Sequence, residues 1–146
     1  MKHKLLLAFC LFITTLSIGQ SKAHKDSLNA IIKTYYDLNV KVFQSDSKPV
    51  DVESIFELFT DDFTYVHPKY GGVYTREILL KGYLRNQKKG RYDGNVTDIK
   101  IVNKIVGLNG VVVARKYITK KEGEEKTKMT LFEFKNGKIS RIFEYW

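Results

Sequence analysis

The spacing of apolar residues changes once along this chain, from intervals of three and four to alternation. Leu28, Ile31, Tyr35, Leu38 and Val42 fall on one face of a helix of about five turns, capped by Asp26 or Ser27 and expected to end near Asp46. Ser45 to Pro49 is a polar connection within one domain. Asp51 can cap a second helix whose buried stripe is Val52, Ile55, Phe56 and Phe59, and Asp61 and Asp62 are read as capping the corner that follows. Phe63, Tyr65 and His67 alternate with Thr64 and Val66 as a strand that Pro68 stops. Tyr70, Gly71 and Gly72 turn the chain, and Val73 and Tyr74 are briefly extended. Thr75 then caps a third helix with Glu77 in its first turn and Gly90 as its stop. Gly82 inside that helix costs about 1 kcal/mol relative to alanine, which points to another backbone passing close by.

From Val96 onward the pattern is that of strands joined by tight turns. Val96 to Val106, Val111 to Lys120, Thr127 to Phe134 and Lys138 to Trp146 are separated by Gly107 to Gly110, Glu122 to Glu125 and Lys135 to Gly137. Asn109-Gly110 and Asn136-Gly137 are the pairs that two-residue hairpins favour, because both positions take positive φ. Two to three helices followed by this meander predict an α+β domain, with the helices packed in the hollow of a strongly curved antiparallel sheet. The strands carry β-branched residues at successive positions, so the face away from the helices is also partly apolar. A symmetric homodimer would bury it.

The first residues belong to a different class. Lys2 and Lys4 precede an apolar run from Leu5 to Ile13, shorter than the ~20 residues of a membrane span, which reads as a secretory leader cleaved after Gly19 or Ala23. Residues 24–146 then form a single domain, secreted or periplasmic, with no stable membrane insertion once the leader is gone. Cys10, the one cysteine, leaves with the leader, so the mature chain has no disulfide, no thiolate nucleophile and no cysteine metal ligand. The formal charge of +9 falls to +6 with the loss of Lys2, Lys4 and Lys22. The densest basic stretch, Arg76 to Arg91, reads as a solvated helix face, and export argues against a nucleic-acid partner.

DVESIFELFTDDFTYVHP (51–68), the TRE that opens the third helix and the terminal NGKISRIFEYW resemble the nuclear transport factor 2-like superfamily, which includes ketosteroid isomerases and polyketide cyclases of SnoaL type. The resemblance covers essentially the whole mature chain. It implies a cone-shaped fold with a cavity, and activities ranging from isomerase and dehydratase to simple binding. In the isomerases the catalytic carboxylate precedes a proline at the end of the first strand, the position of His67 here. Their oxyanion tyrosine corresponds to Tyr35, with Tyr36 the neighbouring choice; the supporting tyrosine corresponds to Tyr83 and an aromatic pocket residue to Trp146. The protonated aspartic acid that shares the oxyanion falls at about Thr130. Losing such a donor costs on the order of 100-fold or more in rate, which argues against ketosteroid isomerisation.

Read without the family, His67 shares a strand face with Phe63 and Tyr65, where it is either a structural histidine or a proton-transfer group. The tyrosines fit either a core or a cavity wall. Arg115, in the apolar strand GVVVARKYI, either faces the cavity to hold an anionic group or points to solvent. Glu144 shares a face with Ile142 and Trp146, within reach of Arg115 or His67. No metal site or cofactor is expected, because no second histidine or cysteine joins His67. Three readings follow: a module that binds a small apolar or amphipathic ligand in an aromatic-lined cavity, a lyase or isomerase with His67 as general base, and a dimeric interaction domain with a filled core.

Overall fold

The computed structural model describes residues 21–121 and 126–146; residues 1–20, which hold most of the expected leader, and residues 122–125, where the sequence predicts a turn, lie outside the described residues. Helix α1 (Lys22–Val42) starts earlier than the sequence predicts, because the Ser21 hydroxyl accepts the free N–H of His24 at 3.1 Å; Asp26 and Ser27 therefore lie inside the helix rather than at its cap. It ends at Val42, short of Asp46. Its buried stripe is Leu28, Ile32, Tyr35, Tyr36, Asn39 and Val42, with Ile31 and Leu38 at its margins.

Helix α2 (Pro49–Glu57) opens on a proline, whose missing N–H costs nothing in the first turn. Asp51 is therefore not the cap. It sits in the first turn, accepts the Lys48 N–H at 2.8 Å and pairs with Lys41 at 2.6 Å. Phe59 opens strand β1 (Phe59–His67) instead of closing the helix. Asp61 and Asp62 lie within this strand, where its register shifts, and Asp62 pairs with Lys135 at 2.7 Å; they do not cap a corner. A short 3-10 turn at Pro68–Tyr70 leads to β2 (Gly72–Thr75) and α3 (Arg76–Lys88). Thr75 caps α3 by accepting the Ile78 N–H at 3.3 Å, and Gly90, at φ +62°, follows its end. A Cβ placed on Gly82 would meet no atom within 4 Å, so the expected close backbone is not there. Lys81, in the basic stretch, is exposed and paired with Glu77.

Strands β3 (Val96–Val106), β4 (Gly110–Thr119), β5 (Lys128–Lys135) and β6 (Lys138–Glu144) form the antiparallel meander that the alternation predicts. Asn136 at φ 54° and Gly137 at φ 73° make the two-residue hairpin between β5 and β6. The other Asn-Gly pair does not turn in this way. Gly110 is already extended and paired with Glu133, and the β3–β4 link closes through Gly107 N–H to Gly110 C=O at 2.8 Å.

The sheet has six strands in the order β2-β1-β6-β5-β4-β3. It is mixed rather than wholly antiparallel: β1 enters beside the last strand and runs parallel to it, with Tyr65 opposite Ile142. The three helices among the described residues pack against one face of this curved sheet, over a core that includes Val52, Ile55, Phe56, Phe59, Phe63, Phe132, Ile139 and Ile142. Phe59 and Phe63 stack at 3.9 Å, and Phe132 meets the rings of Tyr35 and Tyr36 at 5.3 and 5.8 Å.

Candidate functional site

Alternation along β4 sends Val111, Val113 and Arg115 into the interior, while β5 contributes Thr130 and Phe132 and β6 contributes Ile142 and Glu144. The register places Thr130 opposite both Val113 and Glu144, so three adjacent strands bring Arg115, Thr130 and Glu144 together. Arg115 Nη2 donates to both oxygens of Glu144 at 3.1 and 3.3 Å, and its Nε to Thr130 Oγ1 at 3.3 Å. Thr130 passes its own proton to Glu144 at 2.8 Å, and the Trp146 indole donates to the same carboxylate at 2.6 Å. Arg115 and Glu144 are each 3% exposed.

The guanidinium lies 4.8 Å from the Tyr117 ring centre and 5.7 Å from that of Tyr36. Burial alone would lower its pKa, but Tyr117 and Glu144 outweigh that and hold it above the ordinary arginine value. The tyrosines behave differently: burial raises the pKa of Tyr35, Tyr36, Tyr65 and Tyr83, which therefore remain neutral hydroxyls.

These residues enclose a cavity of about 50 Å³. Its wall is Tyr35, Tyr36, Asn39 and Phe43 of α1, Tyr65 of β1, Tyr83 of α3, Ile99 of β3, Arg115 and Tyr117 of β4, Glu144, and Trp146 beyond β6. It exceeds the ~10–15 Å³ that one water needs, and falls short of the ~300–1,000 Å³ of pockets for drug-sized ligands. Seven of the residues singled out from the sequence therefore share one cavity. Thr130 lies behind the wall, bonded to Arg115 and Glu144, and His67 is not part of it. Sequence reasoning missed Asn39, Phe43, Ile99 and Tyr117. Asn39, one helical turn beyond Tyr35, accepts the Tyr83 hydroxyl at 3.0 Å, and Tyr117 follows Arg115 on the same strand face; those two spacings were readable, whereas Phe43 and Ile99 carry no chemical signal.

His67 is 1% exposed, with its ring 4.3 Å from Tyr70 and 4.7 Å from the edge-on Trp146. Neither ring nitrogen has a hydrogen-bond partner among the described residues. Burial lowers its pKa, Glu144 opposes that shift, and Lys69 and Lys128 add to it. The unfolded chain, with an imidazole pKa near ~6.5, then takes up the proton first. This contribution to stability is complete above that pH and is lost as pH falls through the lower, folded value. The urea midpoint of the wild type should drop between pH 7.5 and 5.5 by more than that of His67→Gln. Parallel curves would show that the ring does not titrate as buried.

No family model matches the chain, and neither does any curated protein. Solved structures do. A candidate ketosteroid isomerase from Kribbella flavida superposes with a TM-score of 0.59 at 14% identity, over 84% of this chain and 78% of its own. An NTF-2-like protein of unknown function from Burkholderia xenovorans gives 0.58 at 15% identity, over 82% of each chain. An NTF2-like protein from Anabaena variabilis gives 0.57 at 14% identity, over 87% and 94%. With three helices against a curved, mixed six-stranded sheet, the chain has the nuclear transport factor 2-like fold.

Proposed function

We propose that this is an exported binding module that holds a small apolar or amphipathic molecule in the cavity between α1 and the sheet. One observation carries the reading: polar atoms of Arg115 and Tyr36 have no partner among the described residues, in a wall otherwise made largely of aromatic rings. The volume of about 50 Å³ restricts the occupant to a fragment of a few heavy atoms. Trp146 is the one tryptophan of the chain and lies in the wall, so its fluorescence reports occupancy directly. Titration with a panel of small fragments should shift that emission and raise the melting temperature for at least one of them. A panel that moves neither would sink the reading. The lyase or isomerase alternative is less favoured by the geometry, because His67 is not among the residues that line the cavity.

For the mature chain, cleavage after Gly19 keeps the Ser21 hydroxyl on α1, whereas cleavage after Ala23 removes it. The cap contributes about 1 kcal/mol. Intact mass from a native host distinguishes a chain that begins at Gln20, with this cap, from one that begins at His24, without it.

We propose that a dimer forms through the open face of the sheet. On the sheet face away from the helices, the register aligns Val73, Val66, Phe143, Leu131, Val112 and Ile105 in one apolar row from edge to edge. Val73 and Ile105 are 64% and 70% exposed. A second copy covering this row would bury it. Ile105→Glu with Leu131→Glu should convert the wild-type dimer to monomer in sedimentation at micromolar concentration. A wild type already monomeric under those conditions would refute the surface.

A further inference from the structure

His67 is a buried titratable group that does not line the cavity. It is 1% exposed, and neither Nδ1 nor Nε2 has a hydrogen-bond partner among the described residues. Three aromatic rings stand around it, Tyr70 at 4.3 Å, Trp146 at 4.7 Å and Tyr65 at 6.1 Å between centres. A neutral imidazole is tolerated in such surroundings; an imidazolium brings two charged N–H donors that need acceptors or water. Glu144 favours the proton, but its oxygens already receive Arg115, Thr130 and Trp146, and Lys69 and Lys128 oppose it. Tyr65 remains a neutral hydroxyl, and the residue paired with His67 on β2 is Gly72, which carries no charge.

The walls of this enclosure differ in how firmly they are held. The Trp146 indole donates to Glu144 at 2.6 Å, and the Lys128 ammonium lies 3.9 Å from its ring centre. Tyr65 lies within β1 and packs against the core. Tyr70 is different: it is 60% exposed and sits in the link, Pro68 to Gly71, between His67 and Gly72. The backbone bonds of that link, Gly71 N–H to Pro68 C=O at 3.2 Å and the Tyr74 hydroxyl to Tyr70 C=O at 2.8 Å, do not involve the Tyr70 ring. Next come Gly71, at φ +80°, and Gly72, at either of which an added Cβ would meet no atom within 4 Å. Tyr70 is thus the side of the enclosure that opens without breaking a strand.

We propose that Tyr70 is a proton-operated lid: it closes over neutral His67, and protonation of the imidazole swings the Tyr70 ring outward on Gly71 and Gly72, giving the imidazolium water. A closed state that excludes the imidazolium gives way to the open one as that form becomes populated, so the device responds to acid. Below the ordinary imidazole value of ~6.5 the open population rises by up to about tenfold per pH unit, the limit for one linked proton. The lid requires no ligand in the cavity, so either reading can fail alone.

The test follows the mature protein from pH 7.5 to 4.5 by the His67 ring signals in NMR, by acrylamide quenching of Trp146, whose ring centre is 6.5 Å from that of Tyr70, and by far-UV circular dichroism. Quenching should rise along the His67 titration while the dichroism stays constant. His67→Gln should remove the pH dependence of quenching. Tyr70→Ala should be open to quencher already at pH 7.5 and should titrate closer to the ordinary imidazole value, because lid and proton are linked reciprocally; Tyr70→Phe, which keeps the ring, should behave as wild type. A Tyr70→Ala variant that titrates like the wild type would show that other walls keep the proton off and would overturn the lid. A rise in quenching that persists in His67→Gln would assign it to another group. Loss of dichroism along the His67 titration would replace the local opening with global unfolding.

Discussion

Replacing Arg115 with methionine should destabilise the domain by about 3–5 kcal/mol, because Glu144 then keeps its charge in a buried site without a cation. Thr130 and Trp146 still donate to the carboxylate, but two hydrogen bonds do not replace the counter-charge. In a domain of this size that loss lowers the melting temperature by on the order of 10 °C. The double variant Arg115→Met with Glu144→Gln should recover most of the loss, since it leaves no uncompensated ion. Urea denaturation of the two single variants and the double variant measures the coupling. A cost below about 1 kcal/mol for Arg115→Met would be the behaviour of a solvated surface pair and would contradict the buried network.

Phe132→Ala should cost a similar amount, about 3–5 kcal/mol, for a different reason. Its ring is fully buried on β5, and the rings of Tyr35 and Tyr36 meet it at steep angles. Removing it leaves a hollow directly behind two cavity-wall residues, and no partner substitution repairs the loss. The space should also be usable: the variant is expected to accept larger apolar probes than the wild type while unfolding at lower urea. If the probe-size limit stays unchanged, the two tyrosines are held by something other than this ring.

Elements whose interactions are local were legible. The buried face of α1, the Thr75 cap and the Asn136-Gly137 hairpin each follow from residues within a few positions of one another. The interior position of Arg115 was not legible, because every residue from Val111 to Ala114 is apolar and gives no parity; its ion pair with Glu144 settles the face. The parallel pairing of β1 with β6 escaped for the same kind of reason, as a partner 77 residues away, as Ile142 is from Tyr65, leaves no periodic trace. His67 shows the limit at the site itself. Strand alternation placed it inside correctly, but which interior space it meets depends on where Trp146 folds back against it, and alternation carries no information about that.

The position of β6 in the middle of the sheet constrains the order of assembly. It is the last strand in sequence, yet it is flanked by β1 and β5, so β1 and β2 cannot join the meander until it is made. Without β6 the ladder divides into β1–β2 and β3–β5, with no strand pairing between them, and the cavity lacks Glu144. Such long-range closure makes folding slow relative to helical domains of equal length. Docking of β6 therefore joins both halves into one sheet and brings Glu144 into the site.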